Sequence, residues 1–265
     1  MKLLNGSELA GFIKERHAHQ VRVLAHDKIF PKLAIVQVKD DPVINTYIKL
    51  KQKYGADVDI DVDVHKISQT DTAQLLNTLS NDSSVHGIIV QLPLTDPLQT
   101  DEIVNMVAPN KDVDALGKKA SFEPATPMAI LWLLAGYNVD LAGKQVLVVG
   151  HGKLVGDPLT KILIRSKVNV SVADEHTKDL AQKALDADVI ITATGYPGVL
   201  EADMIKQGAV VVDAGVASED GKTVGDLAPD VYDRDDLTIT PRRGGVGPLT
   251  VCALFENVIR AAGKR

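Results

Sequence analysis

A glycine-rich turn between an apolar strand and a helix is the feature that most constrains the fold of this chain. Residues 146–149 are apolar and β-branched, which predicts a buried strand of a parallel sheet. Gly150, Gly152 and Gly156 follow, and Leu159 begins a segment with helical spacing. Glycines let the backbone approach a pyrophosphate, and a helix start offers free N–H groups and a favourable dipole. The turn therefore predicts a nucleotide-binding loop.

The spacing of these glycines leaves one alternative open. G-x-G-x-x-x-G is one residue longer than the common dinucleotide fingerprint, so the segment also fits a tight turn that binds nothing. The following chain favours a cofactor, because three more strand-like runs follow at 169–173, 188–193 and 209–213. Asp174 lies 24 residues beyond Gly150, where an acidic residue commonly meets an adenosine ribose. Strands separated by helical segments predict an α/β, doubly wound Rossmann-type domain.

Length and composition exclude several classes of protein. A chain of 265 residues is expected to form two domains. Its net charge of −6, from 29 basic and 35 acidic residues, argues against a nucleic-acid partner. No apolar run reaches the length of a membrane span, so no membrane partner is expected. Cys252 is the only cysteine, which favours a reducing, cytoplasmic location. The seven histidines lack metal-ligand spacing, and we expect no metal site.

The first half of the chain also alternates between strand and helix patterns, which predicts a second α/β domain. Ser7 and Thr126 are expected to cap helices, and Pro42 is expected in the first turn of another. Tyr47 and Lys51 lie four positions apart, and so on one face of a helix. The other predicted elements are strands over 32–38, 58–64 and 87–92 and helices over 71–79, 101–107, 127–137 and 249–262.

Six short motifs occur in a particular order along the chain. They are Tyr47-x-x-x-Lys51, Val90-Gln-Leu-Pro-Leu94, Lys111-Asp-Val-Asp114, Pro124-Ala-Thr-Pro127, the segment 150–158 and Gly244-Gly-Val-Gly-Pro-Leu-Thr250. Each motif alone is weak, but together they are specific. With them the sequence resembles the bifunctional methylenetetrahydrofolate dehydrogenase/methenyltetrahydrofolate cyclohydrolase family over nearly its whole length.

The resemblance implies an architecture and two reactions. It implies an N-terminal parallel-sheet folate domain over 1–121, a Rossmann-type NAD(P) domain over 122–248, a cleft between them, and a last helix, 249–265, that packs back on the first domain. It also implies a homodimer. Such enzymes oxidise methylenetetrahydrofolate with NADP or NAD and then hydrolyse the methenyl product to 10-formyltetrahydrofolate, a one-carbon donor for purine biosynthesis.

The resemblance also implies roles for individual residues around the tetrahydrofolate substrate. Lys51 matches the catalytic lysine, Gln91 the glutamine that hydrogen-bonds it, and Tyr47 the tyrosine that stacks on the folate. Asp114 matches the carboxylate that binds the amino-pyrimidine edge of the pterin. The substrate-binding set is completed by Leu92, Gly247 and Pro248, the last two in a loop that closes over the folate.

Cofactor binding is assigned to residues of the second domain, and NAD is favoured over NADP. NADP-using relatives commonly carry an arginine and a serine where this chain has His151 and Glu175. A neutral histidine and an added carboxylate disfavour a 2′-phosphate. The predicted cofactor-binding residues are Thr126, Gly150, His151, Gly152, Val155, Gly156, Asp174, Glu175, Gly195 and Val216.

Departures from the family pattern keep other hypotheses open. Ile44 replaces a usual serine, and Arg242 and Arg243 replace a usual Val-Pro. These arginines fit either an anion site or a solvated pair of charges. A dehydrogenase of another small substrate would use Lys51 and Asp114 as its proton-transfer pair. A nucleotide-binding regulator without chemistry would not need those side chains together.

Overall fold

The computed structural model describes residues 1–219 and 222–264 and confirms the predicted α/β class. The strands are β1 Lys2–Leu3, β2 Lys32–Gln37, β3 Asp61–Lys66, β4 Gly87–Gln91, β5 Gln145–Val149, β6 Asn169–Ala173, β7 Val189–Thr192, β8 Val210–Asp213, β9 Ala217–Glu219, β10 Lys222–Val224 and β11 Thr238–Ile239. The α-helices are α1 Gly6–His26, α2 Pro42–Asp57, α3 Thr72–Asn81, α4 Thr100–Val104, α5 Ala125–Gly136, α6 Gly156–Arg165, α7 Leu180–Asp186 and α8 Val246–Gly263. None of the described helices is long and apolar enough to cross a lipid bilayer.

Two compact units form, and each is assembled from two stretches of the chain. The first unit contains Met1–Ala10 and Thr126–Thr250, and the second contains Gly11–Ala125 and the chain from Val251 onward. The first ten residues therefore group with the glycine-rich half, although the sequence placed them with the N-terminal half. The physical reason is the short strand β1, which pairs in parallel with β11.

The second unit contains a three-stranded parallel sheet in the order β3-β2-β4. The central strand β2 is apolar without alternation and is buried throughout residues 33–36, as expected for a strand covered on both faces. The chain leaves β2 to one side for β3 and then crosses to the other side for β4. A ligand site is expected at the carboxyl ends of the two strands that flank such a switch. Gln37 and Gln91 end these strands and are paired in register.

The first unit contains a six-stranded parallel sheet in the order β1-β11-β8-β7-β5-β6. Its core includes Leu147, Ile190 and Val211, all fully buried. The chain passes from β5 outward to β6 and then back across to β7. The topological switch therefore lies between β5 and β7. The glycine-rich turn follows the carboxyl end of β5. This is the doubly wound arrangement that the sequence predicted.

Four predicted element starts are wrong, each for a local reason. The strand predicted over 58–64 begins instead at Asp61, because Asp59 adopts a positive φ of 58° that breaks the extended chain. Val58 and Ile60, which carry the alternation upstream, are core residues of the helix-to-strand turn. Ser7 does not cap α1, since it lies within the first turn and the side chain of Asn5 accepts the hydrogen bond from Glu8 N (3.3 Å).

The other corrections concern α5 and α8. Thr126 lies inside the first turn of α5, where its hydroxyl accepts a hydrogen bond from Thr250 Oγ1 (3.5 Å), so it is not the residue that precedes the helix. Helix α8 begins at Val246, three residues earlier than predicted. Gly247 and Pro248 are therefore in its first turn rather than in a loop. Proline is favourable there, because its missing N–H would have no partner in the helix.

Candidate active site

Lys51 is held at the carboxyl edge of the three-stranded sheet. Its Nζ donates a hydrogen bond to Gln91 Oε1 (2.7 Å). The Gln91 amide is itself oriented, because its Nε2 donates to Leu92 O (3.1 Å). Helix α2 begins at Pro42, where Asp41 accepts hydrogen bonds from the first backbone N–H groups as an N-cap. The sequence prediction of this helix start and of the Lys51–Gln91 contact agrees with the structure.

Lys51 and Asp114 are both shifted towards their neutral forms. Burial lowers the pKa of Lys51, and the nearby carboxylate of Asp114 opposes that shift. Burial also raises the pKa of Asp114, against the opposing effect of Lys51. Desolvation is the larger effect for each group, so Lys51 releases its proton more readily than a surface lysine does. The shift of Lys51 therefore favours its action as a proton acceptor.

Tyr47 lies one helical turn before Lys51 and keeps its ring partly open to solvent, at 37% exposure. Burial raises the pKa of its hydroxyl, which stays protonated. An exposed aromatic face with a protonated hydroxyl can stack on a planar ring and donate a hydrogen bond.

The Lys111-Asp-Val-Asp114 motif anchors the loop that presents Asp114. Lys111 Nζ donates to Leu79 O (3.0 Å), in the last turn of α3, and to Asp82 O (2.6 Å), just after that helix. Val113 is fully buried. On α8, Asn257 Nδ2 donates to Val113 O (2.9 Å), immediately before Asp114. The loop is thus fixed from two helices of the same unit.

Asp112 stabilises the same loop through hydrogen bonds to its backbone. Its carboxylate accepts hydrogen bonds from Gly117 N (2.8 Å) and Leu116 N (3.4 Å). The residue is 3% exposed. Burial raises its pKa to about 6, with a further contribution from Asp114. Gly117 has to be small, because a Cβ at this position would lie 2.9 Å from Asp112 Oδ2.

The glycine-rich turn of the first unit uses two of its glycines for its own geometry. Gly150 has a φ of +101°, and a Cβ there would lie 2.5 Å from Ala193 O. A Cβ on Gly156 would lie 1.9 Å from Gly150 O. Gly152 differs, since no atom lies within 4 Å of its Cβ position. The turn therefore leaves open space at Gly152, as a pyrophosphate-binding loop requires.

Helix α6 starts directly after this turn and fits an anionic ligand. Val155 occupies the N-cap position, and no side-chain hydrogen bond caps the helix there. The first N–H groups and the helix dipole favour a phosphate at that end. His151 is exposed, with Nε2 3.5 Å from Asp157 Oδ1. These features fit the diphosphate of a nucleotide cofactor.

Two exposed acidic residues, Asp174 and Glu175, follow β6. They lie beside the glycine-rich turn, because Gly150 N donates to Ala173 O (2.7 Å). Asp174 Oδ1 accepts from His176 N and Thr177 Oγ1, both at 3.0 Å, and these bonds lower its pKa. The carboxylate of Asp174 is therefore charged at neutral pH.

Gly195 and Val216 lie together at the carboxyl ends of β7 and β8. Gly195 has a φ of +71°, and its Cβ position is 3.5 Å from Val216 O. Beneath them lies a buried carboxyl, Asp226, that sequence reasoning missed. Asp226 is fully buried, and its Oδ2 accepts from Thr194 N (2.7 Å). Burial, with the neighbouring Asp213, raises its pKa.

Arg242 is engaged within the first unit. Its guanidinium lies 4.2 Å from the centre of the Tyr232 ring, and Nη2 donates to Pro229 O (3.0 Å). Arg243 is exposed. The two arginines are therefore not equivalent, and only Arg243 fits the anion-site hypothesis without losing a stacking contact.

The predicted site residues fall into two groups, one in each unit. Lys51, Gln91 and Asp114 come together in the second unit, with Tyr47 on the same helix and Leu92 next to Gln91. The first unit holds the predicted cofactor-binding residues, together with Gly247 and Pro248 at the start of α8. Gln37, Asn45, Asn257, Asp213 and Asp226 were not predicted. Two of these residues, Gln37 and Asp213, could have been predicted, because each is a polar residue at the end of an apolar strand.

Comparison with known proteins gives consistent results for both units. The family model described as tetrahydrofolate dehydrogenase/cyclohydrolase, catalytic domain, matches residues 4–114. The NAD(P)-binding domain of the same description matches residues 124–265. The bifunctional protein FolD of Campylobacter jejuni is 38% identical over 100% of this chain and 99% of its own.

Solved structures agree over the same length. A crystal structure of bifunctional FolD from Campylobacter jejuni has a TM-score of 0.94 and 37% identity, covering 100% of this chain and 99% of that one. The FolD of Trypanosoma brucei, solved with NADP and an inhibitor, has a TM-score of 0.92 and 27% identity, covering 99% and 97%.

Proposed function

The chain belongs to the tetrahydrofolate dehydrogenase/cyclohydrolase family, and from that premise we propose how its own residues carry out two reactions. It oxidises 5,10-methylenetetrahydrofolate to the 5,10-methenyl cation with NAD(P), and it hydrolyses that cation to 10-formyltetrahydrofolate. The observation that carries the residue assignment is the contact of Lys51 with Gln91 (2.7 Å), beside Asp114, at the switch point of a parallel sheet.

In the oxidation step, this chain's residues bind and orient the reactants. The cofactor, when bound, would supply the acceptor for a hydride from the methylene carbon. Gly150, Gly152 and the start of α6 bind its diphosphate, and Asp174 accepts a hydrogen bond from its ribose. Tyr47 stacks on the folate, and Asp114 accepts hydrogen bonds from the amino-pyrimidine edge. Holding reactants in this way supplies much of the rate of a hydride transfer.

In the hydrolysis step, Lys51 transfers the proton. Water attacks the methenyl carbon and must lose a proton as the new C–O bond forms. Lys51 takes up that proton, a role favoured by the lowering of its pKa through burial. Gln91 keeps the Nζ atom in place through its oriented amide. The C–N5 bond of the resulting neutral hydroxymethylene adduct then breaks: N5 gains a proton, the hydroxyl loses one to form the carbonyl of the 10-formyl group, and one proton is released overall.

The cofactor is proposed to be NAD rather than NADP. Asp174 and Glu175 place two carboxylates beside the loop, and His151 replaces a cation that would bind a 2′-phosphate. Two like charges about 4 Å apart repel by roughly 4 kcal/mol at an effective dielectric of about 20. A ribose hydroxyl, in contrast, donates a hydrogen bond to a carboxylate.

One absorbance assay tests both proposals. Purified protein, methylenetetrahydrofolate and either cofactor should form methenyltetrahydrofolate, with a higher kcat/KM for NAD than for NADP. Glu175→Ser combined with His151→Arg should shift the ratio towards NADP, while Glu201→Ser, an exposed acid elsewhere in the same unit, should not. A wild-type enzyme at least tenfold better with NADP would contradict the preference.

We also propose that the protein is a cytoplasmic homodimer. The family resemblance supports a homodimer, which sedimentation velocity tests directly. The single cysteine, Cys252, is buried and supports a reducing cytoplasm, where 10-formyltetrahydrofolate would serve purine biosynthesis.

A further inference from the structure

Two glutamines on neighbouring strands hold one helix at two points. Gln37 ends β2 and Gln91 ends β4, and the two residues are paired in register. Register partners on adjacent strands point to the same face of the sheet. Gln91 accepts a hydrogen bond from Lys51, as described above. Gln37 Nε2 donates to Asn45 Oδ1 (2.8 Å), which lies on the same helix, α2.

The geometry of α2 explains how both contacts reach one edge of the sheet. Asn45 and Lys51 are six positions apart, or about 9 Å along a helix axis. Side chains on a helix lean back towards its N-terminus. The long Lys51 side chain therefore returns towards the end at which α2 begins, where Asn45 already lies. Fixing the start of α2 thus fixes the base from which Lys51 reaches Gln91.

The Asn45 amide has only one orientation available. Its Nδ2 donates to Asp40 Oδ1 (2.8 Å), so its Oδ1 faces Gln37. That hydrogen bond is the main reason why the pKa of Asp40 lies below its ordinary value, and Lys66 adds to it. Gln37 Nε2 makes a second bond, to Lys39 O (2.9 Å), which fixes its own amide.

Stability alone does not account for Gln37. The residue is 2% exposed, and its Oε1 accepts no hydrogen bond from any described residue. An unsatisfied buried acceptor costs about 1–3 kcal/mol, whereas replacing a polar group and its partners by apolar groups of the same shape can be nearly neutral. A polar side chain kept at this cost, at a sheet edge that binds ligands, indicates a functional role.

We propose that Gln37 is a positioning residue for Lys51, acting through Asn45 and the start of α2 to keep Nζ within hydrogen-bond reach of Gln91 during hydrolysis. The proposal rests on the function assigned above to Lys51. It predicts that loss of the Gln37–Asn45 contact lets Lys51 move away from Gln91 and into solvent.

The test uses the full-length enzyme and two variants, Gln37→Leu and Asn45→Ala. Each should lower the kcat of methenyltetrahydrofolate hydrolysis about tenfold, because small misplacements of a catalytic group are costly. The KM for the cofactor should stay within about twofold, since the cofactor loop lies in the other unit. The pH-rate limb due to Lys51 should move up by about one pH unit, because a more solvated lysine holds its proton more tightly.

Gln69→Leu is the matched control. Gln69 lies in the same unit and makes hydrogen bonds to Asp96 and Gln99. Its loss should lower Tm without moving the pH limb, because it does not contact α2 through any of these bonds. The charged group that faces Lys51 is Asp114, and those that face Asn45 are Asp40 and, beyond it, Lys66; none of the variants replaces any of these residues.

The outcomes separate this inference from the proposed function. If Lys51→Met abolishes hydrolysis while both variants keep the wild-type kcat and pH limb, the inference is wrong and the proposed function stands. A fall in kcat without a shift of the pH-rate limb, as a general loss of stability would give, also contradicts the inference. If Lys51→Met hydrolyses normally, the role of Lys51 fails and the inference fails with it. Should Gln37→Leu not fold, Asn45→Ala, at a half-buried helix position, decides the question alone.

Discussion

At the residue scale, the ionisable groups of the second unit's site are shifted by burial rather than by ion pairing. Burial is the largest cause of the shifts of Lys51, Asp112 and Asp114, and each shift favours the neutral form. A catalytic lysine with a lowered pKa can act as a base near neutral pH, which a solvated lysine cannot. The environment of Lys51, more than its residue type, therefore makes it a proton acceptor.

Replacing Lys51 by methionine keeps much of the side-chain volume and removes the amine. We expect Lys51→Met to lose hydrolysis by at least about a hundredfold, the usual contribution of a general base, while it still binds the cofactor. Lys53→Met is the control, because Lys53 lies on the same helix but pairs with Asp57 at the surface. Stopped-flow loss of methenyltetrahydrofolate measures the rate, and calorimetry measures cofactor binding. Wild-type hydrolysis in Lys51→Met would remove this residue from the mechanism.

Asp112 gives the site's loop a pH dependence of known sign. Its pKa is about 6 in the folded protein, above the ordinary value of 3.8 for an aspartate, so the folded state holds this proton more tightly. Its contribution to stability is therefore full below about pH 4 and is lost as pH rises through about 6, by about 3 kcal/mol in total. The free energy of unfolding of Asp112→Asn, measured in urea between pH 4 and 7, should lack that decrease with pH. Asp61→Asn, at an exposed position of β3, should keep it.

The residues that hold Lys51 show where sequence reasoning reaches its limit. Lys51, Gln91 and Asp114 were predictable because each belongs to a short motif. The roles of Gln37 and Asn45 were not predictable, since the contact between them depends on which residue of β2 pairs with Gln91 of β4. That register is set by packing of the whole sheet and has no local pattern in the sequence.

At the element scale, long periodic segments were predicted well and short ones poorly. The apolar runs behind β2, β4, β5 and β7 were located, because burial on both faces leaves an uninterrupted apolar pattern. Strand β1 was missed, since two residues carry no periodicity and its partner β11 lies more than two hundred residues away. The start of α8 was missed because its glycines resemble a loop, although Val246 is 5% exposed and packs in the core.

The glycine-rich turn allows a prediction in which two similar substitutions have different effects. Gly150→Ala should destabilise the protein, since its φ is +101° and the new Cβ would lie 2.5 Å from Ala193 O. Gly152→Ala should leave Tm nearly unchanged, because its Cβ position is open, yet it should raise the cofactor KM by intruding where the diphosphate binds. Thermal melts and initial rates test both. A Gly152→Ala enzyme with unaltered cofactor KM would place the diphosphate elsewhere.

At the scale of the whole molecule, the limits of the two units differ from a simple division into halves. The sequence predicted a boundary near residue 121, and the chain does pass from one unit to the other at Ala125–Thr126. It also passes between units after Ala10 and after Thr250. Both of these crossings lie inside helices, α1 and α8, where no change of composition marks them. Patterns of local composition could not have shown that each unit is discontinuous.

Discontinuity predicts unequal behaviour of the two halves when they are produced separately. Residues 126–250 lack Met1–Ala10 from their unit, a short stretch that carries the two-residue edge strand β1 and the start of α1. Residues 11–125 lack the end of α8, which supplies the fully buried Phe255 and Val258 and the Asn257 bonds to the Asp114 loop.

We therefore expect the fragment 126–250 to fold and to gain thermal stability on adding NAD, since a ligand that binds only the folded state stabilises it. The fragment 11–125 should stay unfolded by circular dichroism, because loss of one large buried aromatic side chain alone costs about 3–5 kcal/mol. Joining residues 251–264 to it through a glycine-serine linker should restore cooperative unfolding in urea. A cooperatively folded 11–125 fragment would show that α8 is dispensable to that core, and the unit would then be smaller than its contacts indicate.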